Sequence, residues 1–128
     1  MKLLVVEAHE DTLNALGKIL RRHGYEVHTA TTRERALSLA EIYTFDLAIV
    51  DHGMPGEDGC EIMGKLFCIQ QMRGIALTTR DQRMDIARSK KIGFLAHLTK
   101  PVSTQELCET IEAVLGSDAN ASLPGAFR

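Results

Sequence analysis

At 128 residues the chain has the length of one domain with a proper buried core. Apolar residues make up 45% and charged residues 25%, the balance of an ordinary globular protein, and a net charge of −2 gives no bulk attraction to nucleic acid or an anionic membrane. No apolar run approaches the roughly 20 residues that span a bilayer, and Met1-Lys2 runs too soon into Glu7 for a secretory leader.

In chain order, residues 2–6 read as a strand and residues 10–22 as a helix, with Leu13, Leu16 and Leu20 on one face and Gly24 just beyond its end. Residues 25–29 alternate as a strand does. A helix over 32–43 is expected to turn Ala36, Leu39, Ala40 and Tyr43 inward. Phe45 to Val50 is an apolar strand that ends in Asp51 and opens the loop His52-Gly53-Met54-Pro55-Gly56-Glu57-Asp58-Gly59. A helix over 59–71, a strand over 74–77 and a helix over 81–91 follow. The basic end of that helix, Arg88-Ser89-Lys90-Lys91, complements the helix dipole. A strand over 94–98 and a helix over 103–115, with Leu107, Ile111, Val114 and Leu115 inward, complete a domain over 1–116. Residues 117–128, small and polar with Pro124, read as a flexible tail or linker stub.

Strand and helix alternating five times imply an α/β fold: a doubly wound five-stranded parallel sheet covered on both faces. The common order for such a flavodoxin-like (βα)5 chain is 2-1-3-4-5, with ligands bound at the switch point between the first and third strands. That order sets Glu7 beside Asp51. The tips of the fourth and fifth strands add Thr78-Thr79 and Thr99-Lys100-Pro101. Two carboxylates, a hydroxyl and an ammonium around one crevice suit phosphoryl chemistry. A carboxylate can attack phosphorus, a divalent cation would offset repulsion, and the hydroxyl and Lys would bind phosphoryl oxygens. The three cysteines, Cys60, Cys68 and Cys108, are far apart without Cys-x-x-Cys, so the expectation is a reduced, cytoplasmic protein that uses them for packing.

These motifs, taken together over residues 2–116, resemble the receiver domains of two-component response regulators. They are the acidic pocket after the first strand, Asp51 with Met54-Pro55 and Gly59 behind it, Thr78, and Lys100-Pro101. The wording Val6-Glu7-Ala8-His9-Glu10-Asp11-Thr12 and Gly24-Tyr25-Glu26-Val27 looks most like receivers attached to hybrid sensor histidine kinases, so the chain is either a stand-alone protein or the cytosolic part of a larger sensor. The resemblance implies that Asp51 takes a phosphoryl group from a phosphohistidine on a histidine kinase or histidine phosphotransfer domain. It implies that Glu7, Asp51 and the Gly53 carbonyl hold Mg²⁺, that Thr78 and His97 are switch residues, that Lys100 pairs with the phospho-aspartate, and that Lys100-Pro101 is a cis peptide. An output partner would meet the surface of the fourth helix, fifth strand and fifth helix, with the chain a monomer or weak homodimer. Any catalysis would be limited to its own phosphotransfer.

The departure is Ala8, where the family has a second acid that contacts Mg²⁺ directly; alanine weakens the expected site. The alternative function is therefore a degenerate receiver that docks a partner with little Mg²⁺-dependent phosphorylation. A flavoprotein or enzyme on the same fold is the third class. The acidic run Glu7 to Asp11 opposes it, because that run would repel a phosphate-bearing cofactor. Taken singly, His9 and His52 read as exposed loop histidines, and His23 and His28 as structural ones. Glu10 and Asp11-Thr12 read as helix-start chemistry.

Overall fold

The computed structural model describes residues 1–53, 58–79 and 86–116. The elements are β1 (Lys2–Val6), α1 (Glu10–Arg22), β2 (Glu26–Ala30), α2 (Arg33–Ile42), β3 (Leu47–Asp51), α3 (Gly59–Gln70), β4 (Gly74–Thr78), α4 (Ile86–Lys91), β5 (Phe94–Thr99) and α5 (Thr104–Leu115). The sheet is parallel throughout, in the order β2-β1-β3-β4-β5. Both β3 and β4 are buried at every residue, as central strands covered on two faces must be.

Strand alternation divides the core in two. Leu4, Val6, Ala48, Val50 and Ala76 pack with α2 and α3 through Ala36, Leu39, Ile62, Met63 and Leu66. On the other face, Leu3, Val5, Leu47, Ile49 and Leu77 pack with α1 and α5 through Leu13, Leu20, Leu107 and Ile111. Local chemistry sets the helix ends. Thr32, Asp58 and Ser103 cap α2, α3 and α5 by accepting from the backbone N–H of Arg35, Cys60 and Glu106. Gly24, at φ 92°, follows the end of α1 in the left-handed region, where a side chain would be strained.

Two sequence expectations need correction. Tyr43 does not turn inward: α2 stops at Ile42, and Tyr43 leaves the helix in extended conformation at 37% exposure. Its ring lies against His28 and Phe45 on the rim, and Lys2 sits over it. The buried aromatic here is Phe45, which precedes β3 instead of belonging to it. Cys68 is exposed, so only Cys60 and Cys108 are packing cysteines. Of the helix expected over 81–91, residues 86–91 are helical, and 80–85 lie outside the described residues, as do Met54-Pro55 and the tail over 117–128.

Gly59 fixes the approach of α3 to the end of β3. A Cβ there would lie 2.6 Å from both the Asp51 carbonyl oxygen and the His52 Cα. These are backbone atoms with no rotamer to escape into. Gly59→Ala is expected to lower stability by roughly 1–3 kcal/mol, the usual range for overpacking. Denaturant unfolding measures it, and a change below about 0.5 kcal/mol, the size of an ordinary surface substitution, would contradict this reading.

Candidate functional site

Adjacent strands β1 and β3 run in register, Val6 opposite Val50, so their next residues emerge side by side at the carboxyl edge. They are Glu7, fully buried, and Asp51, 3% exposed. The strand β4 brings Thr78 to the same edge, also buried. After β5, Lys100 is held by its backbone N–H, which donates to the Thr78 carbonyl at 2.6 Å, and its peptide bond to Pro101 is cis.

Lys100 joins the acids. Its Nζ lies 2.8 Å from Glu7 Oε2 and 3.1 Å from Asp51 Oδ2. The other oxygen of Glu7 accepts from the His9 backbone N–H at 3.2 Å and lies 3.1 Å from His9 Nδ1. The Gly53 backbone N–H donates to Asp51 Oδ1 at 3.0 Å. Burial pushes the Glu7 carboxyl up, but the Lys100 and His9 hydrogen bonds outweigh it and hold the group below its ordinary value. Burial likewise opposes the charge on Lys100, and its bonds to Glu7 and Asp51 more than reverse this and raise it above an ordinary lysine. At neutral pH the pocket therefore holds a charged Glu7 and a charged Lys100 together.

The residues singled out from the sequence fall as follows. Glu7, Asp51, Gly53, Thr78, Lys100 and Pro101 gather at the carboxyl edge. His97 is half-buried on β5, paired in register with Ala76, between inward-facing Ala96 and Leu98. Ala8 is half-buried, and its methyl packs against the α2–α3 side of the core. Glu10 opens α1 and is exposed. The Asp51 carboxylate at this edge is an oxygen donor of the kind Mg²⁺ takes, since that ion is usually held by one or two carboxylates and several waters. Ala8 supplies no donor.

Three features escaped the sequence reading. Lys100 bridges both buried acids, at 2.8 Å from Glu7 and 3.1 Å from Asp51. His52 is half-buried, with Nδ1 3.7 Å from Cys60 Sγ. Ser89 is fully buried on α4, within the basic run that reads as a helix end complementing the dipole. A groove of about 610 Å³ also opens beside Lys100, between Leu16 and Ile19 of α1 and Pro101-Val102.

Comparison with known proteins agrees with this geometry. The family model for the response regulator receiver domain matches residues 3–112. The alkaline phosphatase synthesis transcriptional regulatory protein PhoP of Bacillus subtilis is 35% identical over 115 residues, which are 89% of this chain and 48% of that protein. Sporulation initiation phosphotransferase F of the same organism is 28% identical over 120 residues, covering 93% of this chain and 97% of that one. Among solved structures, a CheY-like receiver domain protein from Methanospirillum hungatei JF-1 superposes with a TM-score of 0.83 at 29% identity, covering 90% of this chain and 93% of the other. The chain spans about half the length of most of the curated relatives it matches.

Proposed function

We propose, on the premise that this chain belongs to the response regulator receiver domain family, that Asp51 is the acceptor of a phosphoryl group in two-component signal transduction. The observation that carries this reading is the pair of buried acids Glu7 and Asp51 bridged by the half-buried Lys100, whose Nζ lies within 3.1 Å of both. The receiver unit in this reading is 1–116, with 117–128 a tail or linker stub. The donor is a phosphohistidine on a histidine kinase or histidine phosphotransfer domain, and the setting is cytoplasmic.

An Asp51 oxygen attacks phosphorus. The new P–O bond forms as the P–N bond breaks, and the electron pair leaves with the histidine nitrogen, which is protonated from solvent. Lys100 is already placed beside Asp51 Oδ2 and takes the charge arriving on the phosphoryl oxygens. Thr78 supplies a hydroxyl at the same edge, and Thr78 with His97 is the proposed switch pair. Asp51, the Gly53 carbonyl and Glu7 would hold Mg²⁺, which would supply charge neutralisation there. The groove beside Lys100 suits a partner helix that carries its histidine toward Asp51. Capture of the phosphoryl group would bias α4, β5 and α5 between two states, and that surface would meet an output partner. The test is transfer of label from a phosphorylated histidine phosphotransfer domain to this protein. Donor that keeps its label in the presence of folded protein would overturn the reading and leave docking in its place.

The missing acid has its own consequence. Ala8→Asp is expected to tighten Mg²⁺ binding by at least about tenfold, since even outer-shell partners of a metal typically contribute 10–100-fold. Because Ala8 packs on the core, the variant should also lose some stability in the absence of metal. Titration calorimetry with Mg²⁺ measures the affinity, and equal affinities would show that position 8 does not reach the ion.

A further inference from the structure

We propose that His52, Asp58 and Cys60 form a second metal site, distinct from the carboxylate pocket, for a borderline dication of the Zn²⁺ class. His52 is the first residue beyond β3, Asp58 caps α3, and Cys60 is the second residue of α3. The close seating of Gly59 on the Asp51 and His52 backbone folds this i, i+6, i+8 spacing into one cluster. The ligand atoms lie within 4.8 Å of one another, and His52 Nδ1 and Cys60 Sγ are 3.7 Å apart. A tetrahedral Zn²⁺ with bonds of about 2.0–2.3 Å sets its ligand atoms roughly 3.5 Å apart. The His–Cys pair already has that spacing, and an Asp58 oxygen lies within 4.8 Å of both, close enough for the carboxylate to turn in on an ion.

One nitrogen, one sulfur and one oxygen suit Zn²⁺ and its neighbours and disfavour Mg²⁺, which demands an oxygen shell. Three protein ligands leave a fourth position for water. His52 and Asp58 are half-exposed and give an ion a way in, while Cys60 forms the floor. On binding, the thiol gives up its proton to solvent.

The cluster also touches α4. Asp58 Oδ1 accepts from the Cys60 backbone N–H at 2.8 Å, and Asp58 Oδ2 faces Arg88 at 3.4 Å. Cys60 Sγ lies 4.0 Å from the buried Ser89 Oγ. An ion that takes Oδ2 competes with Arg88, so metal occupancy and the placement of α4 are coupled, and the coupling is reciprocal. The same ion would clamp the segment that carries Asp51 and the Gly53 carbonyl.

The experiment is titration of tag-free protein with Co²⁺, followed by absorbance. The expected result is one equivalent bound with a thiolate-to-cobalt charge-transfer band that persists in a large excess of Mg²⁺. The band should vanish in Cys60→Ser and persist in Cys68→Ser. His52→Ala and Asp58→Asn, each checked for folding by circular dichroism, should weaken affinity by at least about tenfold. No thiolate band, a band that survives Cys60→Ser, or affinity unchanged in both ligand variants would overturn the site. Displacement of the ion by Mg²⁺ would overturn it as well, by placing the ion in the carboxylate pocket.

Discussion

Replacing Lys100 with Met is expected to destabilise the protein by about 3 kcal/mol at neutral pH, because it leaves a buried carboxylate without its cation. Glu7 is fully buried, while the Lys100 side chain is 24% exposed. The low end of the usual 3–5 kcal/mol range applies, since the His9 backbone N–H still serves Glu7. Methionine keeps most of the stem, so the loss reports charge more than packing.

The pH dependence distinguishes this from a general packing defect. In the wild type, the Glu7 value lies below its ordinary one. Its contribution is complete above the ordinary carboxylate value and is lost as pH falls through the folded value. The Lys100 value is raised, so its contribution is complete below the ordinary lysine value and is lost only as pH rises through the folded one. In Lys100→Met, only the His9 hydrogen bonds oppose the effect of burial on Glu7, so its neutral form is favoured more than in the wild type and the folded variant takes up a proton more readily as pH falls. The gap between variant and wild type should therefore narrow from about pH 7 to about pH 5. Glu7→Gln combined with Lys100→Met should recover much of the loss, since a neutral amide needs no cation. Urea unfolding at both pH values reads all three proteins, and parallel pH dependences of wild type and Lys100→Met would refute the paired-charge account of Glu7.

The second large effect is complete loss of phosphoryl capture in Asp51→Asn, with the fold retained. The amide keeps the shape of the side chain and an oxygen to accept the Gly53 N–H, but it is not a nucleophile toward phosphorus. Lys100 still has Glu7, at 2.8 Å, so stability should change far less than in Lys100→Met. Transfer from a labelled phosphohistidine donor is the measurement. Capture that persists in Asp51→Asn would place the acceptor elsewhere.

The sheet order and the converging strand ends were legible because each apolar run ends in a residue that does not belong in a core. Glu7, Asp51 and Lys100 sit where hydrophobicity stops, and the order 2-1-3-4-5 is the common one for five such units with right-handed crossovers. Fine contacts were not legible. Tyr43 continues the helical pattern of Ala36, Leu39 and Ala40, but α2 ends before it, and periodicity does not see an end that has no glycine or proline. That Lys100 bridges to Glu7 as well as Asp51 depends on how the two buried acids and the lysine side chain pack, which periodicity does not show. The His52–Asp58–Cys60 cluster matches no common metal spacing and exists only because α3 starts hard against the end of β3. Ala8, by contrast, was readable as a departure from the sequence alone, and the structure adds that its methyl is part of the core.

The most direct test of phospho-acceptance at Asp51 is the intact mass of the protein after incubation with acetyl phosphate, with and without Mg²⁺, beside Asp51→Asn. A receiver that works despite Ala8 gains one phosphoryl group, only with Mg²⁺ and only in the wild type. A folded wild-type protein that gains none, or an Asp51→Asn protein that gains the same mass, would contradict it.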